Sequence, residues 1–426
     1  MKHHHNAPLG ARHQRGAAAL IVTTLLFFVM VLVTLFVNRN LVFEQRASAN
    51  QYRATQAFEA AEAGAEWALA QLNNPRRLGA DCLPLADAAA PSFRSRYLSQ
   101  AGAVFAPRTW NNGSVAGALQ PTCVRSDAGW SCSCPTNGVP VLSAPTGDGP
   151  FPAFSLQFMA GDKPGSVRVL ATGCTSLAGV CLAGSSSSPD AIARVDVTVG
   201  LLAGLRTAPA AALTTRGGVD ADSAAFGVHN ADPATGIAIH AGTGVAAGHA
   251  RLTAPAGAPL AGALVSNDAS LASLSADQYF ASYFGLDKER WENQPTVTRI
   301  VCSGDCGAAI MAAVAANDGS VLIWLDGDMT LDGPATLGSA EHPVVLVVNG
   351  TARIRGAVGL HGVLYATALS WNDTSEPGAM LRGAALSETS YTGNGAPELV
   401  YDSNVLATLK TRSGSLNRVN GGWRDF

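Results

Sequence analysis

The chain has 426 residues, enough for two or three domains. Only 14% of them are charged and the formal net charge is −3, so composition gives no support to binding nucleic acid or another polyanion. Aromatic residues make up 7% and glycines number 45, a balance that suits turns and closely spaced layers.

The first element in chain order is an apolar run. After a short basic stretch ending in Gly16, residues Ala17–Val37 are almost wholly apolar. About 20 such residues span a bilayer. A secretory signal has a shorter apolar core with its cleavage site just behind it, whereas the A-x-A at Ala47–Ala49 lies well past the end of this run. The run is therefore expected to stay as a transmembrane helix. Lys2, Arg12 and Arg15 on one side nearly balance Arg39, Arg46 and Arg53 on the other, so charge alone does not orient it. The cysteines do. Cys82, Cys123, Cys132, Cys134, Cys174, Cys181, Cys302 and Cys306 all follow the run and suit an oxidising compartment. The N-terminus is then cytoplasmic and the body lies outside.

The helix is not expected to stop at the membrane. No glycine follows Val37 until Gly64 and no proline until Pro75, and the segment between is rich in Ala, Glu, Gln and Leu. Phe58, Ala61, Ala65, Ala68 or Leu69, and Leu72 form one apolar stripe at steps of three and four. The pattern predicts one helix from about Ala17 to Asn74, ended by Pro75, and roughly 85 Å long at 1.5 Å per residue.

Next come three alternating segments, "FSLQFMAG", "GSVRVLATGC" and "ARVDVTVGL", each with one apolar and one polar face. They predict half-buried antiparallel strands, the first two joined by a turn at Gly161–Gly165, with the Phe58–Leu72 stripe as a lid.

From Gln14 to Leu69, "QRGAAALIVTTLLFFVMVLVTLFV…QAFEAAEAGAEWAL" is similar to the N-terminus of PilX-type minor pilins. The "VLATGC" strand end and "ARVDVTVGL" also resemble the pilin sheet. The resemblance is strong over residues 1–74, fair to about 202 and weaker beyond. It implies cleavage by prepilin peptidase between Gly16 and Ala17, methylation of the new amino group, and no cofactor. It also implies partners that meet the long N-terminal helix: other minor pilins, the major pilin, and the inner membrane before assembly. Most pilins carry glutamate five residues after the cut. Here that residue is Ile21, an absence common to PilX-type pilins and to K-type pseudopilins of type II secretion.

The second half has a different texture. From Ala211, short apolar segments alternate with Gly-rich turns, and from Val321 they recur at about twenty residues, the period of a coil in a parallel β-helix or solenoid. A β-sandwich is the alternative. A helical stretch near 268–286 interrupts the strands. The expected division is a leader over 1–16, the transmembrane half of the helix over 17–37, a pilin-like domain over 38–202 and a β-solenoid-like domain over 203–426, giving an α+β chain overall.

Candidate sites are few. "LDGDMTLDG" gathers Asp326, Asp328 and Asp332, which a calcium ion could use. The spacing is not that of an EF-hand, and Asp-Gly is an ordinary turn, so no metal site is expected. His229, His240, His249, His342 and His361 stand singly in the sequence, and no HExxH, G-x-S-x-G or phosphate-loop pattern occurs. Short separations favour Cys174 with Cys181 and Cys302 with Cys306, leaving Cys82, Cys123, Cys132 and Cys134 to pair among themselves. The expected function is a non-enzymatic minor pilin that primes assembly or sits at the filament tip on the cell surface. A tip adhesin is a further expected partner. The alternatives are a K-type pseudopilin and a membrane-anchored surface β-helix, either adhesin or polysaccharide-active enzyme.

Overall fold

The computed structural model describes residues 14–111, 116–138, 140–147, 150–177, 181–182, 189–372, 379–393 and 395–425. Most of the expected leader lies outside them.

Helix α1 (Gln14–Leu72) runs unbroken for 59 residues. Its second half lies on an antiparallel sheet that contains β1 (Thr122–Ser126), β2 (Gly129–Ser133), β3 (Ala153–Ala160), β4 (Ser166–Cys174) and β5 (Ile192–Ala203). The alternation read from the sequence sets which face is covered. Phe154, Leu156, Phe158, Val167, Val169, Val195, Val197 and Val199 are all buried, in one cluster with Ala61, Ala65, Ala68 and Leu72 of α1. A short helix α2 (Phe93–Tyr97) adds Phe93 and Tyr97 to that cluster.

After β5 the chain winds into a second body whose strand pairings are all parallel. One ladder runs through β6 (Ala211–Thr215), β7 (Ile237–Ala241), β8 (Leu264–Val265), β9 (Val297–Ile300), β10 (Val321–Asp326), β11 (Val344–Ile354), β12 (Val358–Trp371) and β13 (Met380–Ser387). The spatial order is β8–β7–β6–β13–β12–β11–β10–β9. Two more parallel ladders line its other sides. One carries Val219–Asp220, Val245–Ala246 and Tyr391–Thr392, and the other Gly227–His229, Arg251–Thr253 and Glu398–Tyr401. The parallel pairing separates this body from a β-sandwich.

The stacking order differs from the sequence order. The chain enters at β6 in mid-stack, rises through β7 to β8, and then leaves the ladder. Helices α3 (Ala269–Ala272), α4 (Ala276–Phe284) and α5 (Lys288–Glu292) carry it to the opposite end at β9. It then returns through β10–β12 until β13 closes on β6. The segment near 268–286, expected as an interruption, is thus the crossover that lets a parallel stack be built from its middle. Parallel strands need such a long connection. It includes α5, beyond the expected bounds.

The crossover also covers the ladder. Val321, Ile323, Leu325, Val344 and Leu346 point into the wound core. Their neighbours Leu322, Trp324, Val345, Val347 and Tyr365 pack outward against Phe280, Phe284 and Trp291. Strands buried on both faces read as continuous apolar runs, which is why "VLIWL" and "VVLVV" lack alternation. Further on, α6 (Gly307–Ala316) packs Ile310 onto the wound core, and α7 (Ser403–Thr411) adds Leu406 and Leu409 to the outer layer.

The expected second domain does not extend to residue 426. The last strand, β14 (Gly414–Asp425), returns to the first sheet and pairs antiparallel with β5, Leu416 opposite Leu201. The sheet order is β14–β5–β4–β3–β1–β2. The wound body is therefore an insertion between two neighbouring strands. Asn73 secures the return: its side chain accepts from the Leu416 N–H at 2.7 Å and donates to the Leu416 carbonyl at 2.8 Å.

Candidate functional site

The functional candidate is α1 itself, because its two halves have opposite surroundings. Apolar residues from Leu20 to Phe43 are exposed, including Phe27 and Phe28 at 70% and 65%. Among the described residues it is the one helix long and apolar enough to cross a membrane. Its few hydroxyls are satisfied within the helix: Thr23, Thr24 and Thr34 donate to the carbonyls of Ala19, Leu20 and Met30 at 3.0, 2.9 and 2.7 Å. That is what a lipid environment requires of polar groups. Ile21 lies on this exposed run, and no carboxylate appears before Glu44. Gly16 and Ala17 are both exposed and helical, with open space around Gly16.

The second half is docked closely because small residues allow it. A Cβ on Gly173 of β4 would stand 2.1 Å from the Ala57 carbonyl oxygen, and one on Gly64 would stand 2.8 Å from Phe154. Larger residues at those places would push the helix off the sheet. Trp67 packs edge-on to Phe93 at 5.3 Å, and Arg418 of β14 pairs with Glu66. Pro75 falls just after α1, where proline cannot continue a helix. From there the chain meets the wound body: Arg77 lies 3.8 Å from Asp318 and donates to the Asn317 carbonyl at 3.1 Å.

The cysteines join as Cys82–Cys134, Cys123–Cys132, Cys174–Cys181 and Cys302–Cys306. The first three lie in the part built on the antiparallel sheet, where Cys82–Cys134 ties the segment after α1 to the end of β2. The Cys302–Cys306 bridge closes a short loop ahead of α6.

The three aspartates face basic groups on neighbouring coils. Asp328 pairs with Arg353 at 3.0 Å, Asp332 with Arg355 at 2.7 Å, and Asp326 lies 3.8 Å from Arg299 while accepting from Trp324 Nε1 at 2.8 Å. Among the described residues no group of three His, Cys, Asp or Glu is placed to hold a metal ion. The arrangement does the work of a charge ladder between coils.

Three of the five single histidines also find partners one coil away, whereas the buried Nδ1 of His361 has none among the described residues. His240 bonds Asp268 at 2.7 Å, His249 bonds Asp222 at 2.9 Å, and His229 pairs with Glu398 while meeting the Thr253 hydroxyl at 2.7 Å. Sequence reading missed these pairs. The signal was present as separations of 27 and 28 residues, close to the coil period in that region.

Three comparisons with known proteins bear on this geometry. Residues 15–66 match the family model described as PilX N-terminal, which covers the exposed half of α1 and most of its docked half. No curated protein matches the chain. Among solved structures, the competence-associated pilin ComZ from Thermus thermophilus aligns at 13% identity over 88% of this chain and 97% of its own, with a TM-score of 0.22. Over residues 15–66 the first helix is similar to the N-terminal segment of PilX-type pilins, and its exposed half is long and apolar enough to cross a membrane.

Proposed function

We propose that this chain is a minor pilin of a type IV pilus, cut between Gly16 and Ala17 and carried at the filament tip. Before assembly the exposed half of α1 holds it in the inner membrane, N-terminus in the cytoplasm. Afterwards the wound body stands outside the cell. The role is structural and needs no catalytic step. Its partners are the α1 helices of other minor pilins and of the major pilin, prepilin peptidase, and a tip adhesin.

The observation that carries this reading is Ile21 on the exposed run, together with the lack of any carboxylate before Glu44. In pilins the fifth-residue carboxylate offsets the terminal ammonium of a neighbouring subunit. An unpaired ammonium in an apolar bundle costs several kcal/mol even after relaxation. With Ile21, this chain offers no such partner to a subunit above it, while its own Ala17 ammonium can still meet a glutamate from below. The tip is the position that leaves no charge unpaired.

The placement of the wound body supports the same conclusion. It is inserted at the sheet edge and meets α1 at its C-terminal end, around Leu72–Pro75, about 85 Å along the helix from Gly16 at 1.5 Å per residue. A shaft must pack its subunits closely, whereas a tip has room for this bulk. Labelling the wound body on sheared filaments tests the proposal. Signal at filament ends supports it, and regular decoration along the shaft overturns it.

A further inference from the structure

The end of α1, the start of β14 and the wound body enclose a cavity of about 160 Å³. Its wall is mixed: Leu72, Pro75 and Leu322 supply apolar surface, and Ser92, Ser95, Ser320, Asn74 and Gln100 are among the polar lining residues. Two cations also line it without a carboxylate of their own. Arg94 donates from Nε to the Leu72 carbonyl at 2.9 Å and from Nη2 to the Gly414 carbonyl at 3.0 Å, and its Nη1 makes no hydrogen bond among the described residues. Burial lowers its pKa to about 10, so it is still charged at neutral pH. Arg412, exposed at the rim, has no side-chain partner among the described residues.

Ser413, next to Arg412 in the chain, also lines the cavity; it is 2% exposed and its Oγ has no hydrogen-bond partner among the described residues. A buried hydroxyl left unpaired is costly and is normally met by protein, water or ligand. The carboxylates at the wall do not answer these groups. Asp318 accepts from the Ser92 N–H at 2.8 Å and lies 3.8 Å from Arg77, and the exposed Glu341 accepts from the Ser339 hydroxyl at 3.2 Å.

We propose that this cavity binds a small hydroxylated carboxylate, of the kind found in a uronic acid. Its carboxylate meets Arg94 and Arg412, and its hydroxyls meet Ser413 and the serine and amide wall. Guanidinium is well matched to carboxylate, and the unpaired Ser413 hydroxyl favours a ligand with hydroxyls over a bare anion. The site belongs to the folded chain and does not depend on filament assembly.

Titration calorimetry on the full chain in detergent tests this, with D-glucuronate as probe and glucose and inorganic phosphate as controls. Saturable binding of glucuronate is expected, with glucose weaker by about tenfold or more for want of the charge. Arg412→Ala should weaken glucuronate by a similar factor, and Ser413→Ala by less, each with an unchanged melting temperature. Absence of saturable glucuronate binding, equal binding of glucose, tighter binding of phosphate, or unchanged affinity in Arg412→Ala would each overturn the assignment.

Discussion

Gly173 of β4 lies against the backbone of Ala57, so close that a Cβ would stand 2.1 Å from the Ala57 carbonyl oxygen. The contact fixes how α1 sits on its sheet, and through Asn73 and Leu416 it also bears on where the chain returns. Gly173→Val must move the helix or the strand. Overpacking of this kind costs about 1–3 kcal/mol. Urea unfolding of the full chain in detergent should show a lowered midpoint, and an unchanged midpoint would mean that the helix is not seated on this glycine.

Lys288 and Glu388 form an ion pair beneath the crossover, with the Glu388 side chain only 4% exposed. The Tyr365 hydroxyl donates to the same carboxylate at 2.5 Å. Lys288→Met leaves a buried carboxylate without its cation, a loss of about 3–5 kcal/mol where no other partner moves in. Replacing both residues, as Lys288→Met with Glu388→Gln, removes the uncompensated charge. The double variant is expected to be more stable than Lys288→Met alone in thermal melts, and the reverse order would show that the pair does not hold α5 to the ladder.

Much of the first part was legible because its physics is local. The Phe58–Leu72 stripe and the alternation in "ARVDVTVGL" each name a buried face without reference to anything distant, and those faces meet in the structure. The return of β14 was not legible. "LNRVNGGWRD" has no clean alternation, and its partner Leu201 lies more than two hundred residues back. The stacking order was hidden for the same reason. A regular period shows that coils exist, but it does not show that β13 neighbours β6. The residues that pair between them are buried on both faces, so nothing local tells either strand which neighbour it has.

The histidine–carboxylate pairs give the pH dependence a sign. The Ser270 hydroxyl, then His240 and the Leu271 N–H, hold the Asp268 carboxyl well below the usual carboxylate range. A depressed carboxyl stabilises the fold above its unfolded value near 3.9, and that contribution is lost as pH falls through the folded value. Asp268 also caps α3 through the N–H groups of Ser270 and Leu271. The melting temperature should therefore drop as pH is lowered below about 4, and Asp268→Asn, which lacks the charge, should drop less over that window. Identical slopes in the two proteins would remove Asp268 from the account.

The proposed cut between Gly16 and Ala17 can be read directly from the N-terminus of the mature protein. Mass spectrometry of chain purified from envelopes should find Ala17 first, carrying one methyl group, with the apolar run intact. Gly16 replaced by a bulky residue should block that cut and leave membrane insertion unchanged. A mature chain that still carries the residues before Gly16, or one that begins after Ala49, would contradict the account.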